Sequence, residues 1–182
     1  MAKLISKTYG DALLELAVEE SKVDLFSEEI DGISGVLKDN PDFSKLINNP
    51  RISVEDKVEV VNNVFKGRIS DELTGFLNIV VSKGRFSEID DILLYFTSEV
   101  KKLKGIGVAY VTTPSELTDS QKKDVTQKLL DTTDYKEMEM HYTVAPELIG
   151  GMQIRIGDRV VDSSVHTKIM KMQQELMKIQ LG

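Results

Sequence analysis

Apolar residues recur at helical spacing through the first 104 residues of the chain. Six successive segments show this spacing, with breaks that include Asn40-Pro41, Asn49-Pro50, Gly67 and Gly84. Proline disfavours helical backbone in the residue before it, and glycine commonly follows the last residue of a helix. Because short amphipathic helices are not stable alone in water, these segments must bury their apolar faces against one another. The pattern therefore predicts a six-helix bundle.

Serine residues stand where three of these helices are expected to begin. Ser53 precedes Glu55 and Asp56, an arrangement in which a hydroxyl caps the helix and acidic groups face its positive end. Ser70 and Ser87 hold the corresponding positions before the fifth and sixth segments. We therefore expect Ser53 and Ser70 to cap their helices and the sixth helix to start at Ser87.

The period changes from helical to strand-like after Gly105. Residues 106–111 are strand-like, and Pro114 ends the run. Thr118 and Gln121 fit a capping box before a helix that carries Leu129 on its apolar face. From residue 137 to 144, apolar and polar residues alternate, which is the period of a half-buried strand.

A β-hairpin is predicted between residues 152 and 162. Ile154 and Ile156 alternate with polar residues, and the apolar run resumes at Val160. Gly157-Asp158 separates the two runs, and such a pair is typical of a tight hairpin because glycine takes the positive φ that the turn needs.

The residues on either side of the hairpin are also informative. Gly150-Gly151 predicts a bulge or a close backbone contact, whereas a phosphate loop is disfavoured because no Gly-Lys-Ser/Thr follows. Ser163 or Ser164 offers a cap to a last helix. That helix is expected to turn five apolar residues inward, namely Val165, Ile169, Met172, Leu176 and Ile179.

A lysine-rich segment separates the two patterns. Lys101, Lys102 and Lys104 suit the negative end of a helix, and Gly105 then releases the chain. The prediction is an α+β protein: a six-helix bundle over residues 1–104, then a small α/β domain over residues 105–182 with a β-hairpin and flanking helices.

Composition excludes several classes of function. The net charge of −7 makes nucleic acid and anionic lipid poor partners, because like charges repel. No apolar run approaches the ~20 residues of a membrane span, so direct membrane insertion is not expected. The first residues lack a signal-peptide core, and we expect a protein that is not secreted. The absence of cysteine rules out disulfides and thiolate metal sites.

Candidate catalytic residues are sparse. His141 alternates with apolar strand residues and His166 lies early in the last helix, so both are expected on solvated surfaces. Two isolated histidines lack the clustering that a metal site requires. The alternative is a small ligand-binding or enzymatic α/β domain, with a pocket formed by His141, Arg155 and Asp158, beside a helical partner-binding module.

The stretch around the hairpin resembles the carboxy-terminal signature of a known family, the delta subunit of bacterial F-type ATP synthases, whose mitochondrial relative is the oligomycin-sensitivity-conferring protein. The resemblance covers the whole chain, and also includes Tyr9–Leu13 and Lys83–Phe86. The chain departs from the family pattern at Ala145 and His166. The signature residues are Leu148, Gly150, Gly151, Ile154, Arg155, Gly157, Asp158, Asp162 and Ser164.

The resemblance implies a non-catalytic, cofactor-free subunit of the peripheral stalk. Such a subunit links the catalytic head to the stator, so that rotation is coupled to ATP synthesis and proton transport, and it lies on the cytoplasmic face of the cell membrane as a peripheral part of the complex. The implied partners are the head as a whole, the alpha subunit N-terminus and the stalk b subunits.

The resemblance also implies a groove between the first and fifth helices that holds the N-terminal helix of an alpha subunit, with the b subunits held near the last helix. We expect Leu13 and Leu77 to be core, and Tyr9, Ala12 and Val80 to serve both core and groove. The groove residues are Tyr9, Ala12, Leu13, Leu16, Phe76, Val80 and Val81.

Overall fold

The computed structural model describes residues 2–180, with side chains described for residues 4–173. Contacts divide the chain into two compact units, Met1–Val100 and Lys101–Gly182, which we call the N-terminal and C-terminal units. The division falls inside the lysine-rich segment. Helices precede a small four-stranded sheet, which confirms the predicted α+β class.

The six predicted helices are all present. A single-turn 3-10 helix at Phe86–Glu88 precedes the sixth of them, and Gly84 follows the fifth with a φ of +64°. The apolar faces meet in one core, whose largest fully buried side chains include Phe26 and Phe96. The helices are α1 (Ala2–Glu19), α2 (Val23–Asp39), α3 (Pro41–Ile47), α4 (Val54–Phe65), α5 (Asp71–Ser82) and α6 (Ile89–Lys104).

The serine caps were predicted with mixed success. Ser53 Oγ accepts the Asp56 N–H at 3.1 Å, which confirms the first cap. The Ser70 cap is wrong, because its side chain makes no cap hydrogen bond. Its hydroxyl instead donates to the Glu29 carboxylate at 2.7 Å, and that carboxylate also accepts the Ser70 N–H. The Ser70 side chain is thus bound by a carboxylate on α2 and not by the amides of its own helix. Ser87 lies in the 3-10 turn, so α6 begins only at Ile89.

Gly10 lets α1 pack closely against α6. A Cβ at this position would lie 2.3 Å from Tyr95 Cδ1, well inside van der Waals contact. The Tyr95 hydroxyl donates to Asp11 Oδ1 at 2.8 Å, and this bond raises the Tyr95 pKa to about 12. The ring is therefore held over Gly10 by a specific hydrogen bond.

The C-terminal unit contains a mixed sheet and two helices. The strand order is β2-β1-β3-β4, with β1 and β2 parallel and the other pairs antiparallel. Parallel neighbours need a crossover connection, and α7 provides it. A 3-10 turn at Pro146–Leu148 leads into the hairpin. The elements are β1 (Ile106–Thr113), α7 (Asp119–Thr132), β2 (Glu137–Val144), β3 (Gln153–Ile156), β4 (Arg159–Asp162) and α8 (Val165–Gln180).

The local predictions for this unit hold well. Thr118 and Gln121 form the capping box of α7. Gly157 has a φ of +56° in the turn between β3 and β4. The close contact at the double glycine is also present, because a Cβ on Gly151 would lie 2.4 Å from the Ser163 carbonyl oxygen. Of the two candidate caps, Ser164 is the one whose Oγ accepts the Thr167 N–H, at 3.2 Å.

The inward face predicted for α8 is wrong over the described residues. Val165, Ile169 and Met172 are 37%, 50% and 62% exposed. The periodic pattern identified a real apolar stripe, but nothing in the described part of the chain covers it. Leu176 and Ile179 lie outside the described side chains.

Asp162 joins the end of β4 to the start of α8. Its carboxylate accepts hydrogen bonds from Thr167 Oγ1, the Ser164 N–H and Gln153 Nε2. These donors favour the ionised form, with the Thr167 bond the largest cause, and they hold the Asp162 pKa well below its usual range.

The close contact at Gly10 predicts opposite effects for two glycine substitutions. Gly10→Ala should lower the free energy of unfolding by about 1–3 kcal/mol, because the new methyl group overpacks the Tyr95 ring. Gly32→Ala, where a Cβ meets nothing within 4 Å, should raise it by about 0.5–1 kcal/mol. Urea unfolding followed by circular dichroism would measure both, and equal stability of the two variants would contradict the close packing.

The Asp162 network predicts a pH-dependent stability difference. Asp162→Asn should lower the thermal unfolding midpoint at pH 7, because the amide cannot replace a carboxylate that accepts three hydrogen bonds. A depressed pKa stabilises the fold above the ordinary aspartate pKa of about 3.9, and this stabilisation is lost as the pH falls through the folded-state value. The gap between wild type and variant should therefore narrow below about pH 4.

Asp124→Asn, at an exposed acid on α7, is the matched control and should leave the midpoint unchanged at both pH values. A gap for Asp162→Asn that stayed constant down to about pH 2 would exclude the carboxylate network as its source.

Candidate partner-binding surfaces

Helix α1 carries two apolar stripes side by side. The first is buried and contains Leu13 and Ala17, at 1% and 0% exposure. The second lies about a quarter turn away and remains partly open: Ile5, Tyr9 and Leu16 are half-buried, and Ala12 is exposed. Tyr9 and Leu16 also pack against the core, so the second stripe is shared between the bundle and the solvent-exposed surface.

Helix α5 adds a matching open flank. Its Phe76 ring meets the Tyr9 ring edge-on, with the ring centroids 6.4 Å apart, so the second stripe of α1 faces this helix. On the exposed side of Phe76, within one helical turn, lie Gly75 and Ile79. A Cβ on Gly75 would meet nothing within 4 Å, and Ile79 is 54% exposed. The Tyr9–Phe76 contact, with the exposed Ile79 nearby, is therefore the candidate position of the predicted groove.

The seven residues predicted for this groove fall into two groups. Tyr9 and Leu16 are half-buried and Ala12 is exposed, and the Phe76 ring contacts the Tyr9 ring. Val80, expected to serve both core and groove, has no exposed surface. Leu13 and Val81 are likewise buried, so these three residues belong to the core.

Sequence reasoning missed three candidate residues. Ile5, Gly75 and Ile79 are at least partly exposed on α1 and α5, although none was singled out. The signal was present for Ile5, because positions 5, 9, 12 and 16 repeat at intervals of four and three. The exposure of Gly75 and Ile79 depends on which face of α5 meets the core, and apolar spacing alone does not decide this.

An ion pair joins the junction of α1 and α2 to the first turn of α5. Lys22, at the junction of α1 and α2, donates to the Glu72 carboxylate in the first turn of α5. The hydrogen bond raises the Lys22 pKa and lowers the Glu72 pKa, so both groups stay charged at neutral pH. The pair connects the α1–α2 junction to α5.

The C-terminal unit presents a second apolar surface along α8. Its exposed residues are Val165, Ile169 and Met172, and the helix packs against the Pro146–Leu148 turn. Ile149, directly after that turn, is 65% exposed. The surface has no cover within the described residues.

The signature residues mainly shape the backbone around this surface. Leu148 is buried, Gly151 fits against Ser163, and Gly157 makes the hairpin turn. Asp162 and Ser164 fix the start of α8 through hydrogen bonds. Of the remaining signature residues, Gly150 accepts the Val165 N–H through its carbonyl. Ile154 is half-buried, Arg155 is exposed, and Asp158 lies in the hairpin turn.

The residues of the alternative, an α/β active site, do not converge in a pocket. His141 stacks on Tyr110 with ring centroids 4.9 Å apart, and Arg155 lies over the same ring at 4.8 Å, while Asp158 belongs to the hairpin turn. None of the three lines the cleft of about 790 Å³ between α7 and the hairpin. Over the part of the chain that the structure describes, no three acidic or histidine side chains are grouped to hold a metal.

The charged groups on this face of the sheet interact with their immediate neighbours in space. The Glu139 carboxylate accepts hydrogen bonds from Lys101 and lies 2.9 Å from His141 Nε2. The Lys101 bond is the main cause that lowers the Glu139 pKa.

Between residues 2 and 180, none of the helices combines the length and apolar character needed to span a bilayer.

Comparison with known proteins identifies the family of the chain. The sequence profile of the family described as ATP synthase delta (OSCP) subunit matches residues 5–176. The ATP synthase subunit delta of Lachnoclostridium phytofermentans is 49% identical over 182 residues, with both chains fully covered. The corresponding protein of Alkaliphilus oremlandii is 34% identical over 181 residues, covering 98% of this chain and 99% of its own.

The fold has a counterpart among solved structures. A chain of the mitochondrial ATP synthase hexamer of Toxoplasma gondii superimposes with a TM-score of 0.74, covering 94% of this chain and 97% of that one. At 18% identity this likeness concerns the fold alone. On the full-length sequence matches, the chain belongs to the ATP synthase delta (OSCP) subunit family, and it is a non-catalytic component of the peripheral stalk of F-type ATP synthase.

Proposed function

We propose that the groove between α1 and α5 binds the N-terminal amphipathic helix of an ATP synthase alpha subunit. The observation that carries this proposal is the partly open apolar stripe of α1, which contacts α5 through Tyr9 and Phe76, on a helix where Ile79 is exposed and Gly75 is open. An amphipathic helix buries its apolar face in such a groove, with anchor residues at intervals of three and four.

The open glycine suits a helical partner. Gly75 offers no side chain on the exposed flank of α5, so a partner backbone can approach that helix closely. Tyr9 and Ile79 border this gap and supply apolar contact on both sides. The groove therefore binds by burial of apolar surface, the interaction that gives slow dissociation without any chemical step.

The C-terminal unit is proposed to hold the ends of the stalk b subunits through α8. The exposed apolar stripe of α8 is the feature that supports this assignment, because a helix face with this spacing packs well against another helix. Each end of the chain thus carries one docking surface, for the head and for the stalk.

With both surfaces occupied, the subunit resists torque. The head is held by the groove and the stalk by α8, so the head does not turn with the rotor, and rotation remains coupled to ATP synthesis and proton transport. The proposed location is the cytoplasmic face of the cell membrane, as a peripheral part of the complex. Neither nucleic acid nor direct membrane insertion is part of this role.

The groove predicts tight binding that depends on its exposed residues. A synthetic alpha-subunit N-terminal peptide should bind the full chain with nanomolar affinity, about −12 kcal/mol. Ile79→Asp should weaken binding at least about tenfold, because a charge is then desolvated in the centre of the interface. Isothermal titration calorimetry would measure both affinities.

Leu94→Asp is the matched control for this experiment. Leu94 is 67% exposed on α6 and lies outside the groove, so the same change of charge should leave peptide affinity intact. No heat of binding at high micromolar peptide, or an equal loss in both variants, would refute the groove assignment.

A further inference from the structure

Helix α7 covers only part of one face of the sheet in the C-terminal unit. Val111 of β1 lies on this face and has no exposed surface. Tyr142, its partner on β2, lies on the same face, and the Tyr142 hydroxyl donates to the Lys122 carbonyl of α7 at 3.3 Å. The helix therefore lies over β2 and β1.

The same face is open over the β3–β4 hairpin. Directly opposed residues of neighbouring strands share a face, and the register places Ile154 beside Val111 and Val161 beside Ile154. Ile156 holds the next position on this face. Exposure increases away from α7, because Ile154 and Ile156 are half-buried whereas Val161 is 51% exposed.

A cleft of about 790 Å³ lies between these hairpin residues and Leu129 of α7, and we call it the hairpin cleft. All of its lining residues belong to the C-terminal unit. Its volume is within the range of roughly 300–1,000 Å³ that is usual for small-molecule sites. Its apolar wall is mainly aliphatic, with Leu129, Ile154, Ile156 and Val161.

Cationic side chains border the hairpin cleft. Lys102 comes from the last turn of α6, Lys128 from α7 and Arg159 from the first position of β4. Asp134 is the one acidic residue among the lining residues that the structure describes. The local charge is therefore positive, although the chain as a whole carries a net charge of −7.

Three other acidic residues nearby do not line the cleft. Asp131 accepts a hydrogen bond from Gln127 Nε2 at 2.8 Å on α7. Asp162 follows Val161 and so lies on the opposite face of the sheet, where it accepts the Thr167 hydroxyl. Asp158 belongs to the hairpin turn.

The carbonyl groups at the end of α7 are also satisfied. The Thr132 hydroxyl donates to the Lys128 carbonyl at 2.7 Å, and the Thr133 hydroxyl donates to the Leu129 carbonyl at 2.7 Å. These bonds reduce the negative potential that a helix end would otherwise present to the cleft.

Charge and apolar surface are separated along the hairpin wall. Arg159 pairs with Ile156 next to the Gly157 turn, whereas the Val161–Ile154 pair lies two residues further from the turn. A purely polar anion would leave the aliphatic wall exposed to water, and a neutral hydrocarbon would gain nothing from the cationic rim. A ligand with both characters fits the whole cleft.

We propose that the hairpin cleft binds a small amphiphilic carboxylate, with the carboxylate at Arg159 and the alkyl chain against Ile154 and Val161. The guanidinium group suits this role because it can donate two parallel hydrogen bonds to a carboxylate. The site is separate from the two docking surfaces proposed above, since its lining includes no residue of the α1–α5 groove or of the α8 stripe.

Dodecanoate, below its micelle concentration, is the probe for this site. The full chain with labelled methyl groups is titrated and followed by NMR. The methyl signals of Leu129, Ile154, Ile156 and Val161 should shift and saturate, with a Kd of roughly 100 µM or tighter. Dodecyltrimethylammonium has the same alkyl chain and the opposite charge, and it should bind at least about tenfold more weakly.

Variants test the cationic rim. Arg159→Glu should weaken dodecanoate binding at least about tenfold, because it places a like charge beside the carboxylate. Arg159→Gln removes the charge only and should weaken binding severalfold. Arg68→Glu, at an exposed residue of the N-terminal unit, makes the same change in net charge and should bind as wild type does.

A second pair of variants tests the apolar wall. Val161→Asp should weaken binding at least about tenfold, because a carboxylate then replaces part of the surface that the alkyl chain covers. Val160→Asp is the matched control, since Val160 is 60% exposed on the opposite face of the same strand, and it should leave affinity unchanged.

Several results would overturn the proposal. One is the absence of saturable methyl shifts, and another is equal binding of the two amphiphiles, which indicates adsorption without selection for charge. Shifts confined to α1 or α8 would locate the ligand elsewhere. Equal losses in Arg159→Glu and Arg68→Glu, or in Val161→Asp and Val160→Asp, would likewise exclude the hairpin cleft.

Discussion

The N-terminal unit depends on the close packing of α1 against its neighbours, and that packing requires small residues. Gly10 and Ala17 lie on the buried stripe of α1, and the Tyr95 ring rests directly on Gly10. The adjoining stripe, which contains Tyr9 and Leu16, also packs against the core but stays only half-buried. One helix can then serve an internal core and an external partner at once, because the two stripes are a quarter turn apart.

Much of this architecture could be predicted from the sequence, because its signals are local. The helix breaks, the Ser53 cap and the Gly157 turn each depend on a few neighbouring residues, and the structure confirms them. The errors have a common physical origin in partners distant along the chain. Ser70 fits the pattern of a cap, but Glu29 lies 41 residues away and accepts its hydrogen bonds instead. Local spacing cannot show such a distant partner.

The candidate surfaces show the same limit. Apolar spacing identified the stripes of α1 and α8 but not whether the chain itself covers them. Val80 is more buried than expected and Ile169 is more exposed, because the burial of each residue depends on which neighbour its helix face meets. The family resemblance rested on residues that shape the backbone, such as Gly151 and Asp162. Their roles can be explained only from the contacts that they make in the folded loop. His141 and Arg155 likewise have a structural explanation, since both pack on Tyr110.

A joint that makes and breaks no covalent bonds gains its strength from surface that the free subunit leaves uncovered. Such surface also favours aggregation, so its arrangement is a compromise between affinity and solubility. Here the apolar residues form narrow stripes on separate helices, and the excess of acidic residues elsewhere keeps the net charge at −7.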